Sequence, residues 1–250
     1  MFSHRQMGVE SDTSMIRNRA ITAVVLFVIG ALLVGGAAWS LKYQPTFYQR
    51  ALAQSVSPEV RRQQAKEFVQ TTLQLVDEIK HEDRWSHEFS EDAVNGWLAE
   101  ELPVKYAGWL PQEVAAPRVK FEKDSVLLAF QGRQGIWRGV VSARVRPWVA
   151  GPNQLALEIQ SLRIGLVPVP VDEVLGEFVR NMNRAGWHMQ WKNSGKKDVL
   201  VVDLDEGDLS ETPDRPVLEL VELESEHLQI SGRRRADSEA PRLADKPEAN

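Results

Sequence analysis

Residues 135–147, GIWRGVVSARVRP, decide the fold class. Trp137, Val141, Ala143 and Val145 fall on one side of an extended chain, and Arg138, Ser142, Arg144 and Arg146 on the other. A period of two marks a strand with one packed face and one polar face. Val140 is the exception, an apolar residue on the polar side. The flanking sequence repeats the theme. Residues 119–123 and 126–132 read as strands joined by a turn at Asp124-Ser125. Gly151-Pro152-Asn153 is a turn leading into a strand over 155–164. Further strands are expected over 187–191, 199–204 and 217–230, with a turn at Asn193-Ser194-Gly195 and a break near Glu224-Ser225. A short extended piece is expected over 85–89.

Helices punctuate this pattern. Ser57-Pro58-Glu59 combines a capping hydroxyl, a proline suited to a first turn and an acid near the positive end of the helix dipole. Ala65, Phe68, Val69, Thr72, Leu73, Val76 and Ile79 then form a stripe at helical spacing. Ser90 caps a second helix with the stripe Ala93, Val94, Trp97, Leu98 and Leu102, and Pro103 is expected to end it. After Pro168 and Pro170, Val171, Val174, Leu175, Phe178, Val179 and Met182 follow the i, i+3, i+4, i+7, i+8, i+11 series of a third helix, with Gly186 as its stop. The order predicts an α+β fold: a curved antiparallel sheet packed against two or three helices over residues 57–231.

The chain before this domain is of another kind. Residues 20–41, AITAVVLFVIGALLVGGAAWSL, contain no charge. As a helix they reach roughly 33 Å, enough to cross a bilayer core. Trp39 and Tyr43 fall where interfacial aromatics belong. The rival reading is a cleavable signal peptide cut near Gly36-Ala37-Ala38. The apolar run continues past that site to Leu41, which favours a retained transmembrane helix. Arg5, Arg17 and Arg19 precede it, against Lys42 and Arg50 after it, so residues 1–19 are placed in the cytoplasm. Residues 42–56 read as a juxtamembrane linker. Residues 232–250, rich in charge, Pro and Ala, read as a disordered tail.

The segment Phe89-Ser-Glu-Asp-Ala-Val-Asn-Gly-Trp-Leu98 places an extended residue before a capped helix bearing an Asn and a bulky apolar pair. Alternating strands and a Gly165…Pro168-Val-Pro170 connection into a helix follow. This layout resembles the YpmS-like membrane-anchored proteins of bacterial envelopes and, more distantly, the tubular lipid-binding domains. The resemblance spans about residues 57–231. It implies a single-pass protein of the bacterial inner membrane, a sheet wrapped around a helix, and a hydrophobic groove. It transfers no catalytic residue.

Chemistry is sparse. The absence of cysteine excludes disulfides and thiolate sites. A net charge of −5 argues against a nucleic-acid partner. His81 and His87 lie near Glu82, Asp83 and Glu88 but read as a solvated helix end rather than a metal site. Residues 203–208 mimic a calcium loop and fail it, with Gly207 and Asp208 where an oxygen ligand and then a glycine are needed. No cofactor is expected. The eight tryptophans fill a core or line a groove. Trp97, Leu98, Val171, Val174, Leu175, Phe178, Val179 and Met182 are the groove candidates. The partners expected are the bilayer, through residues 20–41, and a lipid or another envelope protein. A noncatalytic protein that holds an apolar ligand, an assembly subunit and a hydrolase of envelope polymers are the competing functions, in that order.

The topology is directly testable. A reporter fused at the C-terminus should be active only in its exported form, and the N-terminus of the purified protein should precede Ala20. An active cytoplasmic reporter would overturn the orientation, and a mature N-terminus near Trp39 would overturn the anchor.

Overall fold

The computed structural model describes residues 40–53, 57–106, 113–134, 137–184, 188–193, 198–204 and 216–234, with the backbone alone at 134, 137, 172–175, 177, 178, 181 and 193. The expected membrane segment therefore lies outside the described residues except at Ser40 and Leu41, which are helical. The calcium-like residues 205–208 and the tail beyond 234 also lie outside them. Among the described residues no helix is long and apolar enough to cross a membrane.

The architecture is α+β and antiparallel. Strands β2 (Val114–Glu122), β3 (Ser125–Gln134), β4 (Trp137–Gly151), β5 (Gln154–Ile164), β8 (Asp198–Asp203) and β7 (His188–Asn193) lie side by side in that order, and the two-residue β6 (Val167–Pro168) adds to β5. One curved sheet was the expectation, but the closing hairpin leaves it. Strands β9 (Pro216–Glu224) and β10 (His227–Arg234) pair instead with β1 (Arg84–Ser90) as a separate three-stranded sheet. Trp85, Phe89, Leu228 and Leu223 share one face of this sheet by register. Strand β10 runs three residues past the expected domain end at 231, and Arg233 pairs there with Glu219 at 2.6 Å. A cut after Gly232 would remove that strand end, so the tail begins no earlier than residue 235.

Helix α2 (Pro58–His81) starts as its sequence dictates, with Ser57 Oγ accepting from the Val60 N–H at 3.3 Å and Pro58 in the first turn. Its packed line runs through buried Ala65 and half-buried Gln64, Phe68, Thr72 and Ile79. Leu73 and Val76, expected in the stripe, lie on its flank and are 63% and 42% exposed. Helix α3 (Glu91–Glu100) is capped by Ser90 Oγ, which accepts from the Ala93 N–H at 3.1 Å. It crosses α2 closely because Gly96 has no side chain. A Cβ there would stand 2.7 Å from Gln64 Cβ. Pro103 does not simply stop the chain. It sits in the first turn of a short helix, α4 (Leu102–Lys105), where a proline needs no N–H partner.

The edge of the main sheet is closed by side chains. Asn95 of α3 donates from Nδ2 to the Val119 carbonyl and accepts at Oδ1 from the Val119 N–H, both at 2.9 Å. Glu91 Oε2 accepts from the Phe121 N–H at 2.7 Å. Together they occupy the outward groups of strand β2, which would otherwise form an open edge.

The stretch 42–56, expected as a linker, holds helix α1 (Thr46–Ala53). Tyr48 has no exposed surface. It packs on Ala129 and Val140 and donates its hydroxyl to the Ala116 carbonyl at 2.8 Å. This explains Val140, the apolar residue between Arg138 and Ser142 on that side of β4: α1 lies on it. Helix α5 (Val171–Arg184) packs on the opposite side, where Val179 meets Leu200 and Val202.

The Asn95 clamp makes a measurable claim. Asn95→Ala removes two hydrogen bonds and leaves both polar groups of Val119 unpaired, so it should destabilise the domain by about 1–3 kcal/mol. Chemical unfolding of the full chain in detergent measures this, and a loss below about 0.5 kcal/mol would show that the edge is satisfied otherwise.

Candidate functional site

Strand register builds one apolar surface on the main sheet. Val126, Val145 and Ile159 lie in one row across β3, β4 and β5. Leu128, Ala143 and Leu162 form the next row on the same face, and Phe130, Val141 and Ile164 the third. A bulge keeps the rows aligned. Arg144 opposes Ser161 while Val145 opposes Ile159, so Gln160 is extra and both Ile159 and Leu162 reach the same face.

The rows differ in cover. In the first, Val145 is buried, and Val126 packs with Val119, Phe121 and Leu223 beneath the small sheet. In the other two rows none of the six side chains is buried, and Leu128 is 38% exposed. The third row continues into Gly132 opposite Gly139, where no side chain rises at all. The result is an apolar trough running along the strands, covered at the small sheet and half-covered beyond it.

The two helices that flank the trough are those expected to form a groove. The structure separates their residues, however. Leu98 and Val94 of α3 pack on Val119 and Phe121 at the β2 side. Trp97 turns away from the sheet, its ring 5.2 Å from Phe68 and 5.7 Å from Tyr106. Val179 of α5 is buried at the far side against Leu200 and Val202, with Leu155, Leu157, Met189 and Trp191 around it. Val171 and Met182 are half-buried. The side chains of Val174, Leu175 and Phe178 lie outside the described ones. Asn183 ties the end of α5 to β7, bonding the Met189 N–H at 2.7 Å and carbonyl at 2.9 Å. Of the groove candidates, Leu98 and Val179 thus stand at two borders. The floor between them is made by strand residues that periodicity marks only as one face of a strand.

The polar clusters serve local structure. His81 Nδ1 lies 3.2 Å from Asp77 Oδ1 on its own helix, and His87 Nε2 lies 2.9 Å from Glu78, so the two histidines do not converge. No group of three or more potential metal ligands occurs among the described residues. A cavity of about 350 Å³ gathers Glu67, Glu91, Asp92, Glu226 and His227. Burial pushes the Glu91 carboxyl above the usual carboxylate range, opposed by its hydrogen bond from Phe121. That carboxylate is committed to the β2 edge, and His227 is paired with Glu88 at 2.6 Å.

Comparison with family models, curated proteins and solved structures finds no match. A functional reading therefore rests on the site itself.

The contrast between border and floor can be measured. Leu200→Ala, at a side chain 4% exposed beneath α5, should cost about 2–5 kcal/mol, and Leu128→Ala on the trough floor less than about 1 kcal/mol. Equal losses in urea unfolding would mean that the floor is as tightly packed as the core.

Proposed function

We propose that this chain is a membrane-anchored, noncatalytic envelope protein whose domain holds an apolar ligand, such as a lipid acyl chain, in the trough between α3 and α5. The observation that supports this most is the pair of half-exposed apolar rows, Leu128–Ala143–Leu162 and Phe130–Val141–Ile164. Six contiguous apolar side chains that are not fully buried gain by burial against a hydrocarbon chain at about 25 cal/mol per Å². The floor carries no titratable side chain, which suits a holder of ligands better than a catalyst. The uncharged segment 20–41 supports a membrane as the place of work, with the domain outside the cytoplasm.

An assembly subunit is the second reading. It is supported by Leu73 and Val76, apolar and exposed on α2 far along the chain from the trough residues. The hydrolase reading loses support where its acids have structural duties, as Glu91 does.

Mass spectrometry of the full chain purified in mild detergent distinguishes the readings. Bound lipid is expected in the wild type, and Phe130→Asp should reduce its recovery about ten-fold or more, because a charge at the floor must be desolvated. Unchanged lipid recovery in a folded Phe130→Asp protein would sink the trough. Recovery of a stoichiometric protein partner that is lost in Leu73→Asp, with no lipid, would favour the assembly reading.

A further inference from the structure

We infer that the end of the domain where residue 40 enters is a docking surface for a bilayer carrying anionic headgroups. The inference rests on the anchored reading above and adds to it an orientation and a lipid class.

The chain enters at a fixed place. Ser40 O accepts from the Leu166 N–H at 3.0 Å, and the Gly165 N–H is bonded to the Val140 carbonyl at 2.8 Å. Gly165 has φ +62, and a Cβ there would strike Ser40 O and the Leu41 backbone. The turn after β5 is therefore clamped beside the last residues of the hydrophobic segment. Its apolar side chains point outward: Leu166 is 41% exposed, Val167 39%, and nearby Tyr43 37%. Apolar turn residues exposed beside an anchor match an interface that inserts into the acyl–headgroup boundary.

Charge at the same end is of the matching sign. Arg133 and Arg138 oppose each other across β3 and β4 and, with Lys42, line a cavity of about 390 Å³ whose one acid is Glu113. Like charges directly opposite on a sheet repel. Arg163 lies opposite Pro168 beside the same turn. Among the described residues none of these four cations has a carboxylate partner. A cationic end on a chain of net charge −5 is a local feature, and lipid phosphates supply the missing anions. The third trough row, Phe130–Val141–Ile164, is the one nearest this end, since Ile164 precedes Gly165. Docking would bring the half-covered part of the trough to the bilayer surface.

The lack of native cysteine makes the test clean. The full chain carrying Leu166→Cys, labelled with an environment-sensitive fluorophore, is reconstituted in vesicles of phosphatidylcholine or of an equal mixture with phosphatidylglycerol. Leu73→Cys on α2 is the control. In the mixed vesicles, aqueous quenching at position 166 should fall about five-fold or more below that at 73, the weight of one cation at a charged surface. In phosphatidylcholine alone, and with Arg133→Glu and Arg138→Glu together, most of that protection should be lost. Flotation of the chain with the vesicles while position 166 is quenched as fully as 73 overturns docking and leaves the anchor and the trough standing. Protection that ignores headgroup charge overturns the anionic recognition. Failure to float overturns the anchor and the docking together.

Discussion

The outer edge of strand β2 is the constraint on which the rest of the fold depends. An antiparallel sheet with a free edge either pairs with another chain or must be blocked. Here the side-chain amide of Asn95 stands in for a strand residue, giving one donor and one acceptor to Val119, while Glu91 takes the Phe121 N–H. These contacts fix α3 beside the sheet and place Val94 and Leu98 over Val119 and Phe121. Gly96 then lets α2 lie close, and the face of the small sheet that bears Phe89 meets Phe68 of α2 at 5.5 Å. The same device recurs. Asn153 bonds the Pro216 carbonyl and the Leu218 N–H, each at 2.7 Å, tying β9 to the β4–β5 turn. Asn183 does likewise for β7. At three places asparagine serves as a backbone substitute where the strand ladder does not continue.

Two faces of the main sheet are thereby used differently. One carries the arginines of β4, receives Tyr48 and Phe47 from α1 and buries Ala156 and Val201 farther along, and burial holds the Tyr48 phenol above its usual pKa. The other is apolar throughout and is roofed at both borders, by α3 with the small sheet and by α5. What remains between these borders are the rows of Leu128 and Phe130, none of whose side chains is buried. That geometry, rather than any one residue, makes the trough.

Much of this was legible in the amino-acid order because the signals were local. Ser57 and Ser90 cap the helices they announce. Asp124 and Asn153 adopt positive φ at the two turns expected there, and Glu226 does so where the strand over 217–230 was expected to break. The split into two sheets was not legible, because β1 and β10 pair across more than a hundred residues and no local pattern encodes that choice. Helix α1 was missed because eight residues carry little helical signal. Val140, apolar on a polar strand face, was its trace: something had to cover it. The groove residues were sought on helices because helical stripes are conspicuous. The floor lay on strands, where alternation reveals a packed face but not which part of it is left half-covered.

The clamp between Ser40 and Leu166 also sets a reach. Only residues 42–45 lie between the helical turn at Leu41 and the start of α1, and four extended residues span at most about 14 Å. The hydrogen bond to Leu166 takes up even that slack. With residues 20–41 in a bilayer, the domain has no tether on which to swing outward. On the anchored, lipid-holding reading proposed above, it sits against the surface that holds it, as a fixture rather than an arm, and any cargo exchanged with a distant membrane has to be brought to it.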